Sequence, residues 1–311
     1  MIEIAIMIEG QNGLNWPRWH RIASAVEDLG FIGLYRSDHY TNPEPPDKDS
    51  LELWVSLTWL ASHTKRIEFG PLVSPVSFRQ PTMTARFASA VDDLSGGRLT
   101  LGLGAGWQDR EHINYSWDLL ELSRRFDRFE EGLEIITQLL RHDTLVNFNG
   151  DYYQVNQASL LPRPSRIGGP PILIGGNGPK RTLPLVARFA DEWNSVYIST
   201  DKIRDLNHKL DNLLLAEGRK PKHVRRSLMT GCVFGKNDSE LIMKVNQRTK
   251  GKQSPKELAQ NGLVIGTTNQ IVDQLNAISE SGIQRVMLQW IDLDDLDGLE
   301  ALAKGVLPQI N

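Results

Sequence analysis

The chain has 311 residues, 40% hydrophobic and 23% charged, with a formal net charge of −3. A globular chain of this size buries roughly three quarters of its unfolded surface, so its core needs no staples. The mild acidity argues against a nucleic-acid partner, the single cysteine excludes an internal disulfide and a thiol-rich metal site, and no apolar run approaches the ~20 residues that cross a bilayer.

Met1 leads directly into a strand pattern, residues 2–8, with no basic leader or cleavage site, which sets the expectation of a cytoplasmic protein. Trp16, Trp19, Ile22, Ala23, Val26 and Leu29 then recur at helical spacing, from a start near Asn15 to a stop at Gly30. A second strand, 31–35, ends at Arg36, Ser37, Asp38 and His39. A proline-rich loop (41–48) precedes a helix over 51–63. A strand over 67–73 is interrupted by Pro71, and a helix covers 81–94.

The fourth strand, 99–103, follows Ser95, Gly96 and Gly97. It runs through Gly102, Gly104 and Gly106 into a loop bearing Trp107, Asp109, Glu111, His112, Tyr115 and Trp117. This stretch is either the mouth of a site, with bare backbone open to a ligand, or a tight strand-to-helix turn before a solvated loop. An amphipathic helix follows over 124–140. Two short strands, 144–148 and 152–155, flank Asn149 and Gly150, a hairpin signal.

Alternation then resumes. Strand 172–174 leads into Gly175, Gly176, Asn177, Gly178 and Pro179 and a helix to Ala190. The pattern continues with strand 192–196, helix 202–217 and strand 227–234. A polar segment over 238–262 reads as a mobile helical excursion. Gly266 and Thr267 cap a helix over 269–279, strand 285–290 follows, and a short helix lies near 296–306. Cys232, within an apolar run, reads as a core thiol.

Eight apolar strands alternating with helices predict an α/β fold: a (β/α)₈ TIM barrel over residues 1–311 as a single domain, with inserted segments near 144–155 and 238–262. A doubly wound sheet is the competing architecture, but Gly10, Gln11, Asn12 and Gly13 do not make its glycine fingerprint after the first strand.

Barrel chemistry belongs at the C-terminal ends of the strands, where Asp38 and His39, residues 71–75, 104–107 and 175–178 fall. A histidine there can move protons near neutral pH, and a neighbouring carboxylate can fix its tautomer or hold a ligand. The 175–178 run is either a phosphate cradle at a helix start, placed at Pro179 or nearer Thr182, or a plain tight turn. Glu111 and His112 read as solvated loop residues in preference to a general-base pair. The seven histidines do not pair at metal-ligand spacing, and no hydrolase or nucleotide-loop motif occurs.

Several fragments in order carry a resemblance. They are Ser37-Asp38-His39, Gly96-Gly97-Arg98-Leu99, Leu101-Gly102-Leu103-Gly104-Ala105-Gly106-Trp107, and Arg125-Phe126-Asp127-Arg128-Phe129-Glu130-Glu131. Ile172-Leu173-Ile174-Gly175-Gly176-Asn177-Gly178, Arg181-Thr182-Leu183 and Ala190-Asp191-Glu192-Trp193-Asn194 complete the set. Over nearly its whole length the chain resembles the luciferase-like monooxygenase superfamily, and within it the F420-dependent oxidoreductase branch.

The resemblance implies a barrel that exchanges hydride between coenzyme F420 and a small organic substrate. It implies that Asp38 and His39 contact the deazaflavin ring and act in catalysis, with His39 as proton donor or acceptor. Pro71 and Leu72 would form a strained, often cis, peptide bulge behind the ring. Gly106 and Trp107 would flank the ring, and Gly175, Gly176, Asn177 and Gly178 would receive the cofactor phosphate. It further implies a homodimer. The family's sugar-phosphate dehydrogenase carries a carboxylate where Trp107 stands and a tryptophan where Pro43 stands, and uses several cations on its substrate. These departures favour a less polar, planar substrate here, a carbonyl compound or an activated alkene. The alternatives are an FMN-dependent monooxygenase on the same barrel, a non-catalytic flavin-binding paralogue, and an unrelated barrel lyase or hydrolase of a phosphorylated substrate.

Overall fold

In the computed structural model, which describes residues 2–310, strand β1 (Glu3–Ile8) shows how the architecture arises. Its side chains alternate: Ile4, Ile6 and Ile8 pack outward among the helices, and Ala5 and Met7 pack inward on the barrel axis. Both faces are buried, which is why the strand is apolar almost throughout.

The other strands are β2 (Gly33–Arg36), β3 (Glu68–Pro71), β4 (Ser74–Pro75), β5 (Leu101–Gly104), β6 (Val146–Asn149), β7 (Gln154–Ala158), β8 (Ile172–Gly175), β9 (Glu192–Val196), β10 (Arg225–Phe234), β11 (Val264–Gly266) and β12 (Arg285–Gln289). The helices are α1 (Trp16–Leu29), α2 (Leu53–His63), α3 (Pro81–Ser95), α4 (Asp109–Asn114), α5 (Leu122–Arg141), α6 (Thr182–Phe189), α7 (Thr200–Ala216), α8 (Asp238–Thr249), α9 (Pro255–Gln260), α10 (Thr268–Glu280) and α11 (Leu296–Ile310).

The main sheet runs β3-β2-β1-β12-β10-β9-β8-β5-β4, with every pairing parallel. Strands β3 and β4 are two halves of one stave, and a parallel bridge between Phe69 and Leu99 closes the ring. The result is the expected (β/α)₈ barrel. At its lower end the fully buried Arg285 guanidinium gathers Glu3, Glu68, Glu192 and the Tyr35 hydroxyl.

Local signals behave as their chemistry dictates. The Asn15 side chain accepts from the Arg18 N–H to start α1, and Gly30, at φ 92°, ends it in the left-handed region that glycine tolerates. The Asn149-Gly150 signal yields the antiparallel β6–β7 hairpin.

Two expectations change, a helix start left open is settled, and the helical character of residues 238–262 is borne out. Residues 109–114 form helix α4, where a loop was expected. The 67–73 strand divides into β3 and β4, and the cis peptide joins Leu72 to Val73, one bond beyond Pro71-Leu72. Helix α6 starts at Thr182, so Pro179 lies ahead of it. The 238–262 segment holds α8 and α9, whose Leu241, Val245 and Leu258 pack with Val233, Leu263 and Ile265. Strand β11, paired with β10, was not foreseen because its three residues are too few to show a period.

Among the described residues, no helix is long and apolar enough to cross a membrane. Cys232 is buried, and burial pushes its thiol up to about 12, as a core thiol requires.

Candidate active site

A cavity of ≈ 580 Å³ opens at the C-terminal ends of the barrel strands. The volume lies within the usual range for small-molecule sites. Two walls of different chemistry face each other across the barrel axis.

The first wall comes from β3–β4, β5 and β8: Leu72, Val73, Pro75, Gly104, Ala105, Gly106, Gly175 and Gly176. Its glycines have a packing cause. A Cβ on Gly104 would stand 2.6 Å from Val73 Cγ2, one on Gly175 3.1 Å from Val73 Cγ1, and one on Gly102 2.1 Å from the Pro71 carbonyl oxygen. The bulge between β3 and β4 therefore drives the Val73 side chain into space that only glycines leave open. The outcome is a wall of backbone and one isopropyl group, shaped for a flat ring.

The second wall comes from the ends of β9, β10, β12, β1 and β2, and it is polar. Tyr197 Oη donates to Gln289 Oε1. Gln289 Nε2 donates to Glu9 Oε1 (2.6 Å), and Gln11 Nε2 to Glu9 Oε2 (2.9 Å). Ser37 Oγ donates to Gln11 Oε1 (2.7 Å) and accepts from the Gly10 N–H (2.9 Å). Met7, Val196 and Met229 fill the gaps between these groups.

His39 lines the cavity next to this polar chain, with its side chain 12% exposed. Its Nδ1 lies 2.7 Å from Oε1 of Glu111 on α4, and the other oxygen of that carboxylate accepts from the Tyr40 N–H. Burial alone would lower the His39 pKa; the hydrogen bond and charge of Glu111 outweigh it and raise the pKa. Nε2 is left as the ring nitrogen for the cavity. The Trp107 ring stands edge-on to His39, with centroids 5.5 Å apart, and is 59% exposed at the mouth.

Glu111 and His112 are buried, which corrects their reading as solvated loop residues. They are not a pair. His112 Nδ1 donates to the Gln108 carbonyl (2.6 Å) and Nε2 accepts from Ser77 Oγ (2.8 Å), a neutral tautomer in keeping with a pKa lowered by burial.

The predicted residues divide. His39, Leu72, Gly106, Trp107, Gly175 and Gly176 line the cavity. Asp38 does not: its buried carboxylate accepts from Ser74 Oγ (2.7 Å) and pairs with Arg79 (2.5 Å). Asn177 turns to the backbone of β9, donating to the Val196 carbonyl (2.6 Å) and accepting from its N–H (2.9 Å), and the Gly176 N–H donates to the Asn194 carbonyl. Gly178 sits against Thr182, whose side chain reaches the cavity where α6 begins. Pro71 stands one residue below the lining.

Glu9, Gln11, Glu111, Thr182, Tyr197 and Gln289 were missed. Position carried a signal for some of them, since Glu9, Tyr197 and Gln289 lie at or just past the C-terminal ends of strands.

A solved F420-dependent secondary alcohol dehydrogenase, in complex with an F420-acetone adduct, shares the fold with a TM-score of 0.83 at 18% identity, covering 100% of this chain and 99% of that one. Among curated proteins, the 5,10-methylenetetrahydromethanopterin reductase of Archaeoglobus fulgidus is 26% identical over 92% of this chain and 93% of its own. The F420-dependent glucose-6-phosphate dehydrogenase of Amycolatopsis mediterranei is 30% identical over 57% of this chain and 51% of its own, a match to about half of that protein. The luciferase-like monooxygenase family model matches residues 4–251, from the first strand through α8 and across the whole glycine wall. The chain belongs to the luciferase-like monooxygenase family.

Proposed function

We propose that this protein is an oxidoreductase that passes a hydride between coenzyme F420 and a small organic substrate, a carbonyl compound or an activated alkene. The observation that carries the reading is His39, held through Nδ1 by Glu111 with Nε2 left for the cavity that the glycine wall bounds. Relatives in the same family support the cofactor.

The residues present fit such a group. The wall of Val73, Gly104, Gly106 and Gly175 offers a ring-sized surface of backbone and one isopropyl group. Beyond it lie the Thr182 hydroxyl and the first turn of α6, a place for a phosphate. When bound, F420 would supply the hydride-carrying carbon of its deazaflavin ring. The protein then has three tasks: to hold the ring against Val73, to shield the mouth with Trp107, and to manage one proton at His39 Nε2. For carbonyl reduction, His39 donates that proton to the oxygen as the hydride reaches carbon, and the alcohol leaves.

Titration of the purified protein with F420, followed by absorbance, tests this. Binding and a substrate-dependent change in the cofactor band are expected; no binding overturns the reading. The family's own description favours a second reading, an FMN-dependent monooxygenase on the same walls. A yellow protein with a flavin spectrum as purified, indifferent to F420, would establish it in place of the first.

A further inference from the structure

The cavity has an uneven charge. Among its lining residues Glu9 is the one carboxylate, and no lysine or arginine is present. The hydrogen bonds around Glu9 determine the polarity of the whole second wall. A carboxylate only accepts, so the amides of Gln11 and Gln289 both turn their NH₂ groups towards it. Their carbonyl oxygens therefore face outward and take the hydroxyl protons of Ser37 and Tyr197. Tyr197 gives its proton to Gln289, and the Arg248 guanidinium stands near the same hydroxyl, which leaves Glu9 as the acceptor of this wall.

Tyr197 is also held at φ 47°, a left-handed conformation that costs a residue with a side chain, directly after β9. Its backbone is buttressed by Gly262, where a Cβ would come within 3.4 Å of the Tyr197 carbonyl carbon. The ring is thus fixed beside Gln289 by an unusual backbone and by the chain of bonds that ends at Glu9.

We propose that Glu9 is the specificity-determining residue of this site, and that the substrate is an organic molecule carrying a cationic or hydrogen-bond-donating group that docks on the Glu9 oxygens. Phosphorylated or carboxylated substrates would meet the Glu9 carboxylate with no lysine or arginine beside it in the lining, and bind less well. The proposal rests on the reading above, in which the glycine wall holds the cofactor and leaves the polar wall to the substrate.

Three probes of one shape, benzylammonium, benzyl alcohol and benzoate, test it by ligand-observed NMR titration of the protein with and without F420. The expected order of affinity is benzylammonium, then benzyl alcohol, then benzoate, with at least about tenfold between the ends. In Glu9→Gln that gap shrinks to below about threefold, because the charge is gone and the shape is kept. Benzoate binding as tightly as benzylammonium to the wild type overturns the proposal, and so does a gap that survives Glu9→Gln. The wild-type order decides even if the variant fails to fold. Failure of F420 to bind, with the order intact, overturns the cofactor reading alone; F420 binding with no order overturns this inference alone.

Discussion

The Glu111 carboxylate lies 2.7 Å from His39 Nδ1 and 3.2 Å from the Tyr40 backbone nitrogen, so one buried acid fixes both a ring and the loop that carries it. Replacing Glu111 by Gln keeps the shape and removes the charge. Burial then acts on His39 with far less opposition, and its pKa falls from above its ordinary 6.5 to below it. The stability consequence has a definite sign. In the wild type the raised His39 pKa contributes stability that is fully present below about pH 6.5 and is lost as the pH rises through the folded value. Glu111→Gln loses that component. Imidazole NMR titration and urea midpoints measured on both sides of neutrality check both statements. Turnover should fall by roughly a hundredfold, the scale of general acid–base catalysis.

Asp38, adjacent in sequence, behaves differently. Its carboxylate is paired with Arg79, which also reaches Glu52 (2.7 Å) and the Tyr40 hydroxyl (2.9 Å). The Arg79 side chain is 13% exposed, so Asp38→Ala leaves a largely buried cation with Glu52 and Tyr40 as its remaining partners and should destabilise the protein by about 1.5–3 kcal/mol. Urea unfolding measures that loss. The His39 titration should shift far less than in Glu111→Gln, because Asp38 acts on that ring less than Glu111 and Glu9 do. A large His39 shift with little change in stability would return to Asp38 the role that the resemblance implied.

The phosphate end of the site yields a third expectation. Thr182 is the first residue of α6 and its side chain lines the cavity. Thr182→Val preserves shape and removes one hydroxyl. If that hydroxyl serves an anionic cofactor tail, the F420 dissociation constant rises by about tenfold, the value of one hydrogen bond to a charged group. The absorbance titration reads this directly. An unchanged constant would assign the phosphate to backbone groups alone.

What sequence made legible follows from how local each signal is. Periods of two and 3.6 mark the staves and helices, and Gly30 and Asn149-Gly150 mark a stop and a turn, because those choices are made within a few residues. His39 and the glycine runs were legible as strand-end features for the same reason. The Glu111–His39 pair joins residues 72 positions apart, and the Tyr197–Gln289 bond joins residues 92 apart. No window along the chain brings such residues together. Asp38 misled because alternation at a strand end says that neighbours diverge and does not say which of them faces the axis.

The glycines of β5 show the same limit from another side. Bare backbone at Gly104 suggested close approach of a ligand, yet its nearest neighbour is Val73, from the bulge between β3 and β4. Gly104→Ala would place a methyl group 2.6 Å from Val73 Cγ2, a distance that real contacts do not adopt, so the bulge must shift. A destabilisation of about 1–3 kcal/mol is expected, the usual result of overpacking a buried site. Val73→Ala removes the colliding methyl groups and leaves a small void. In the double variant the methyl group added at Gly104 partly fills that void, so the two losses should not add, and a coupling of about 0.5 kcal/mol or more should appear in a double-mutant cycle. F420 affinity should follow the same pattern, weakened in Gly104→Ala and partly restored in the pair, because the ring rests on the wall that Val73 shapes. Strict additivity in both stability and affinity would mean that Gly104 is small for the ligand and not for the bulge.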